Sequence, residues 1–151
     1  MRISAKADYA VRAAVEMAAA GDEAVKGEKL AEAQEIPLQF LEHILLELKH
    51  ARLVRARRGA RGGYWLAQPP EEITLANVIR AVEGPLANIQ DQAPEQTKYP
   101  GNAEQLSEVW IAVRASLRRV LENVTIADLR DGKIPADVLA LTRDEGARIT
   151  R

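Results

Sequence analysis

From Ser4 onward the apolar residues Ala7, Ala10, Val11, Ala14, Val15 and Ala18 recur at intervals of three and four until Gly21 interrupts them. This spacing predicts an amphipathic helix capped by Ser4 and ending near Ala20. Its inner face is mostly alanine, so a neighbouring element can approach closely. A shorter helix is predicted over about Gly27 to Gln34, burying Leu30 and Ala31, and a third starts at Pro37, whose fixed φ suits a first helical position. The third helix carries Phe40, Leu41, Ile44, Leu45 and Leu48 on its inner face, and only Gln34-Glu35-Ile36 separates it from the second. Two helices joined by so short a turn make a helix-turn-helix, an arrangement used both as a plain packing unit and as a DNA reader.

Past Leu48 the pattern shortens and becomes basic. Between Lys49 and Arg61 stand Lys49, Arg52, Arg55, Arg57, Arg58 and Arg61 with no acidic residue among them, ending in the turn Arg58-Gly59-Ala60-Arg61-Gly62-Gly63. Tyr64-Trp65-Leu66 reads as a return strand, which makes the basic turn the tip of a two-stranded ribbon beside a helix. A DNA-reading winged helix needs this combination, because the helix enters the major groove while the thin ribbon reaches phosphates or the minor groove. Arginines on a solvated sheet edge also serve simply to block edge-to-edge pairing. Such an edge usually interleaves both signs of charge, and this one does not.

The second half is punctuated by Pro69-Pro70, after which Thr74 caps a helix with Leu75, Val78, Ile79 and Val82 on one face, stopped by Gly84-Pro85. A polar loop follows from Ala87 to Gly101. Leu106, Trp110, Val113, Leu117, Val120 and Val124 then alternate at spacings of four and three, the a/d pattern of a coiled-coil seam, predicting a helix of roughly 20 residues and about 30 Å. That seam packs either against its own domain or, as favoured here because the N-terminal half is already self-sufficient, against a second copy of the chain. Asn123, Thr125 and Asp128 supply a cap for a short helix, and Ile134-Pro135 opens a last helical stretch through Asp144.

Composition narrows the function. The net charge is −1, so the positive charge is concentrated locally and does not coat the molecule. Met1-Arg2-Ile3-Ser4-Ala5-Lys6 lacks a signal-like apolar run and no stretch is long enough to span a bilayer, so a cytoplasmic chain without membrane attachment is expected. The absence of cysteine removes disulfides, thiolate metal sites and cysteine nucleophiles. His43 and His50 lie seven apart on one helix, roughly 10.5 Å along its axis, too far to share a metal ion. Gly59, Gly62 and Gly63 precede a strand and do not open a helix, so they form no phosphate-binding loop. No catalytic residues, metal site or cofactor are expected. Asp8 reads as a solvated residue or a partner for Arg12.

Five blocks carry a family resemblance: Met1-Arg2-Ile3-Ser4 with Tyr9-Ala10-Val11-Arg12; Ile36-Pro37-Leu38-Gln39-Phe40-Leu41-Glu42; Gly59 through Leu66; Ile73-Thr74-Leu75 with Val78 through Gly84; and Val124 through Leu129. In this order and at these separations the chain resembles the IscR, NsrR and CymR family of bacterial winged-helix transcription regulators up to about Leu129. The resemblance implies a homodimer held by the long C-terminal helix, two winged helices on a partly palindromic operator in double-stranded DNA, and regulation, usually repression. Carried over by position, base-reading residues fall on Gln39, Glu42 and His43, and the wing arginine on Arg58, flanked by Arg57, Arg61, Gly62 and Gly63. Glu42 can accept from a cytosine amino group. The chain departs from the pattern at Lys26-Gly27, where a serine cap is frequent, and at Glu35, where glycine is usual and a positive φ would strain any other residue. It departs further in the sensor, because cluster-bearing members place three cysteines in the segment Leu86 to Ser107 and this chain has none. Asp8 falls where some members offer an acidic fourth ligand, but without thiolates an iron-sulfur cluster has no anchor.

The fold expected is therefore mainly α with a small two-stranded β wing: a winged helix-turn-helix over residues 1–84, a polar linker or sensor loop over 85–103, and a dimerisation helix with a helical tail over 104–151. The expected dimer seam is Leu106, Trp110, Val113, Leu117, Val120 and Val124. If a small-molecule or protein effector exists, Ile89, Tyr99 and Trp110 line its site, or else they only anchor the loop. The function expected is a cluster-free DNA-binding regulator. The alternative is a winged-helix scaffold that makes protein contacts and does not bind DNA.

Overall fold

Ser4 starts the first helix as its hydroxyl requires, accepting from the Ala7 N–H at 3.0 Å. In the computed structural model, which describes residues 2–149, helix α1 runs Ala5–Ala19. Ala10, Ala13, Ala14 and Met17 are fully buried, and these small side chains let α1 lie at the centre with helices and the ribbon packed around it. Arg12 turns back to pair with Asp8 at 3.1 Å, the i,i+4 partner expected.

Helix α2 spans Gly27–Gln34 and α3 spans Leu38–His50. The helix begins at Leu38, one residue after the expected start, with Pro37 at the N-cap position, where its missing N–H leaves no donor unsatisfied. Leu41, Ile44, Leu45 and Leu48 are buried, each worth roughly 1.5–3 kcal/mol of transfer free energy. Phe40 corrects the expected inner face. It is 40% exposed, lying at the edge of that face, where its ring meets Tyr9 edge-on at 5.6 Å. The turn between α2 and α3 hinges on Glu35, whose φ is 52°, so the strain foreseen at this non-glycine position is present. The Ile36 N–H donates to the Ala31 carbonyl at 2.9 Å and closes the helix end.

The ribbon pairs β1 (Val54–Arg57) antiparallel with β2 (Gly63–Leu66), placing Arg55 opposite Trp65 and Arg57 opposite Gly63. On its other side β2 exchanges hydrogen bonds between Tyr64 and Val25 at 2.9 and 2.8 Å, so β2 is central and β1 is the free edge among the described residues. The turn glycines are dictated by space. A Cβ on Gly62 would stand 2.1 Å from the Arg57 carbonyl oxygen, and one on Gly63 2.5 Å from that of Val25, at a φ of 145°.

Thr74 and Asn77 form a capping box at the start of α4 (Leu75–Glu83), and Thr125 with Asp128 forms a second at the start of α6 (Ile126–Asp131). The two starts are stitched together, with the Leu75 N–H donating to Val124 at 2.9 Å and the Ile126 N–H to Ile73 at 2.8 Å. Ile126 is fully buried in the cluster that holds α1, α3 and α4, so residues 124–127 complete the winged-helix core despite lying beyond 104.

Helix α5 is Leu106–Leu121, shorter than the expected stretch to Val124. Val124 leaves the seam: it lies past the helix end and is 3% exposed in the chain's own core, drawn there by the pairing with Leu75. No residue of α5 is buried. The helix rests on α4 and on the one-turn segment Pro94–Gln96, held by the ion pairs Arg114 with Glu95 and Arg80 with Glu122. The last α-helix, α7 (Ala136–Leu141), stops short of the expected Asp144 and is followed by a 3-10 turn over Glu145–Arg148; it is tied back where Asn123 donates to both oxygens of Asp137 at 3.1 and 2.9 Å. No helix among the described residues is long and apolar enough to cross a membrane.

Candidate nucleic-acid interface

The period of α3 that buries Leu41, Ile44, Leu45 and Leu48 necessarily turns Gln39, Glu42, His43 and Leu46 outward. These four line one shallow cleft on the outer face of the helix. Leu46, at 47% exposure, puts an apolar surface among polar groups that offer donors and acceptors. Beside it a larger cleft of about 480 Å³ opens between the start of α2, α3 and the wing, bounded by Lys26, Glu28, Glu42, Lys49, Arg57 and Arg58.

Local bonds set the wing's shape. The Lys26 ammonium donates to the Gly59 carbonyl, tethering the tip of the ribbon to the start of α2. Arg57 donates to the Arg61 carbonyl at 2.9 Å and stands 5.9 Å from the Trp65 ring centre, which holds it along the ribbon. Arg58 and Arg61 are exposed. Gly62 and Gly63 are buried, so in this structure they shape the turn that presents the arginines. Among the described residues no carboxylate forms an ion pair with Lys49, Arg52, Arg55, Arg57, Arg58 or Arg61, whereas Lys6, Arg12, Arg80, Arg114, Arg118 and Arg130 all have acidic partners. Six cations without a carboxylate partner thus stand within thirteen residues on one edge, a local concentration of positive charge suited to a polyanion.

The remaining candidate residues lie apart from this surface. Leu106, Trp110, Val113, Leu117 and Val120 are each half-buried, so one row of α5 is only partly covered by its own chain, and the neighbouring Val109 is 52% exposed. Ile89 and Tyr99 are also half-buried, and Ile89 forms a local bridge with Gln92. Neither they nor Trp110 line the clefts around the wing and α3. Around α5 the charges are tuned by their partners. Glu95 is held below the ordinary glutamate range first by a backbone N–H and then by Arg114, and Glu122 chiefly by its hydrogen bond from Arg80. The Arg130 guanidinium similarly lowers the carboxyl of Asp131.

Lys26 and Leu46 were not among the residues the sequence nominated. Leu46 was findable, since it sits four residues after Glu42 and three after His43 on the outward face. Lys26 was not, because its role depends on a contact with Gly59 across the fold.

The chain matches the profile of a family described as Rrf2, iron-dependent transcriptional regulator, over residues 3–132. It is 49% identical over 149 residues to a helix-turn-helix-type transcriptional regulator of Mycobacterium tuberculosis, covering 98% of this chain and 92% of that one. It is 31% identical to the transcriptional regulator CymR of Bacillus subtilis over 133 residues, 85% of this chain and 89% of that one. Among solved structures it is similar to CymR, the global cysteine regulator of B. subtilis, with a TM-score of 0.73 at 29% identity, covering 87% of this chain and 98% of that one. It is also similar to T. potens IscR, with a TM-score of 0.69 at 29% identity, covering 100% and 93%. Iron is part of the family's description, yet the donors here do not fit an iron-sulfur cluster. The chain has no cysteine, Asp8 is engaged by Arg12, and the described residues hold no group of three or more histidine, cysteine, aspartate or glutamate side chains able to bind a metal ion.

Proposed function

This chain belongs to the Rrf2 family of transcriptional regulators, and we propose that it binds duplex DNA sequence-specifically as a homodimer, repressing transcription by occupying a partly palindromic operator without an iron-sulfur cluster. The observation that carries this reading is the juxtaposition of an outward row, Gln39, Glu42 and His43, with a wing whose Arg57, Arg58 and Arg61 have no carboxylate partner among the described residues. The row reads base edges in the major groove, with Glu42 accepting from a cytosine amino group, while the wing arginines meet phosphates or the narrow minor groove. A wing used only for protein contacts has no need of three unpaired arginines at its tip.

In this reading residues 1–84 recognise DNA, 85–103 transmit a signal and 104–151 join the protomers through Leu106, Trp110, Val113, Leu117 and Val120. The half-covered state of that row in a single chain supports a partner helix there. A small-molecule or protein effector acts on the loop between Ala87 and Gly101, near Ile89, Tyr99 and Trp110, by changing the spacing of the two reading helices. The test is recovery and sequencing of genomic fragments retained by the purified protein, followed by titration of the recovered duplex. Recovery of one shared two-fold motif is expected, and retention no better than that of an inert protein of equal charge overturns the proposal.

A further inference from the structure

Three cations of the basic run, Lys49, Arg52 and Arg55, are not used by the reading above. With Val54, Trp65 and Gln68 they line a second groove of about 600 Å³, which runs along β1 toward the end of α3 and contains no acidic residue. It meets the first cleft at Lys49 and Ala56, which border both. We propose that this groove is a second phosphate track for duplex DNA, gripping the backbone of base pairs that flank the segment read by α3. The inference rests on the DNA-binding assignment, and it adds a site to it.

Three observations bear it. Arg52 ends α3 at a φ of 61°, with its own N–H donating to Lys49 and the Leu53 N–H to Leu48, both at 3.0 Å. Glycine fits that terminal position without strain, so an arginine there holds a cation beside the groove at a conformational cost. Arg55 faces Trp65 across the strand pair, and Arg57 covers the same ring, giving the basic strip a flat aromatic floor. None of the three cations has an ion-pair partner among the described residues, and the groove adjoins the first cleft at Lys49 without including the two carboxylates of that cleft, Glu28 and Glu42. A row of positive charge longer than one small anion matches a phosphate backbone, which repeats its charge along its length. Blocking edge pairing on β1 accounts for Arg55 and Arg57 but not for Arg52, which lies outside the strand.

The experiment is a salt titration of DNA affinity on recovered genomic duplexes of increasing length, using wild type, Arg52→Gly, Arg55→Ala, their combination, and Arg58→Ala. Arg52→Gly removes the cation while relieving the backbone, so loss of fold does not confuse the result. Each phosphate that a protomer no longer neutralises should lower the log-log salt slope by about 0.9. Wild type should gain affinity as the duplex is extended past the motif, and the double variant should not. If the double variant keeps the wild-type slope and length dependence while Arg58→Ala loses slope, the track is refuted and the reading stands. If wild type itself fails to bind duplex, both fall. A double variant with unchanged DNA binding that no longer retains polyglutamate assigns the groove to an acidic protein surface and likewise overturns the track.

Discussion

At the residue scale the wing is governed by what cannot fit. Gly63 holds a φ of 145° with the Val25 carbonyl where a Cβ would go, so Gly63→Ala should destabilise the fold by roughly 2–4 kcal/mol, checked by denaturant unfolding. The wing's charges do a different job. Arg58→Ala should leave the unfolding midpoint unchanged, because the side chain is exposed, yet lower the salt slope of DNA binding by about 0.9 for each phosphate it meets. Leu46 offers a test of direct readout, since an exposed leucine beside Glu42 and His43 is suited to a thymine methyl group. Replacing operator thymines by uracil should weaken wild type at one position and leave Leu46→Ala indifferent there. Equal losses in both proteins would remove Leu46 from the readout.

At the element scale α5 is held to its own chain by charge and, in the proposed dimer, to its partner by the apolar row. Leu117→Asp should give monomers by sedimentation, because it places an unpaired carboxylate in the seam. A wild-type monomer at micromolar concentration would remove the dimer. The ion pairs that seat α5 predict a pH dependence. Glu95 and Glu122 titrate lower in the folded chain than in the unfolded one, so the stability they add is fully present above the ordinary glutamate value of about 4.3 and is lost as pH falls through the lower folded values. Trp110 fluorescence in a Trp65→Phe background should hold steady from neutrality to about pH 5 and change below about pH 4. Glu95→Gln should show the altered signal already at neutral pH. The helices were legible in the sequence wherever one apolar period or one cap decided them, as at Ser4, Thr74 and Thr125. Sequence reading erred where tertiary pairing decided: Val124 fits the heptad but is pulled into the core by Leu75, and Phe40 fits the inner face but is left at its edge beside Tyr9. The candidate site was legible as charge and spacing, while the Lys26 tether and the groove along β1 depend on contacts between distant segments.

At the scale of the whole molecule, the net charge of −1 conceals a division of labour. Carboxylates pair with Lys6, Arg12, Arg80, Arg114, Arg118 and Arg130 on the helices, and the six cations between Lys49 and Arg61 have no such partner among the described residues. The same chain lacks the thiolates a cluster requires, so its DNA affinity should not respond to iron or to oxygen. The most direct measurement is the affinity of the purified protein for a genomic duplex it retains, against a scrambled duplex of equal length, over a range of salt concentrations. Preference for the retained sequence at moderate salt is predicted, with a steep linear fall of log affinity with log salt for both duplexes. Equal, weak and salt-insensitive binding to the two duplexes would contradict it.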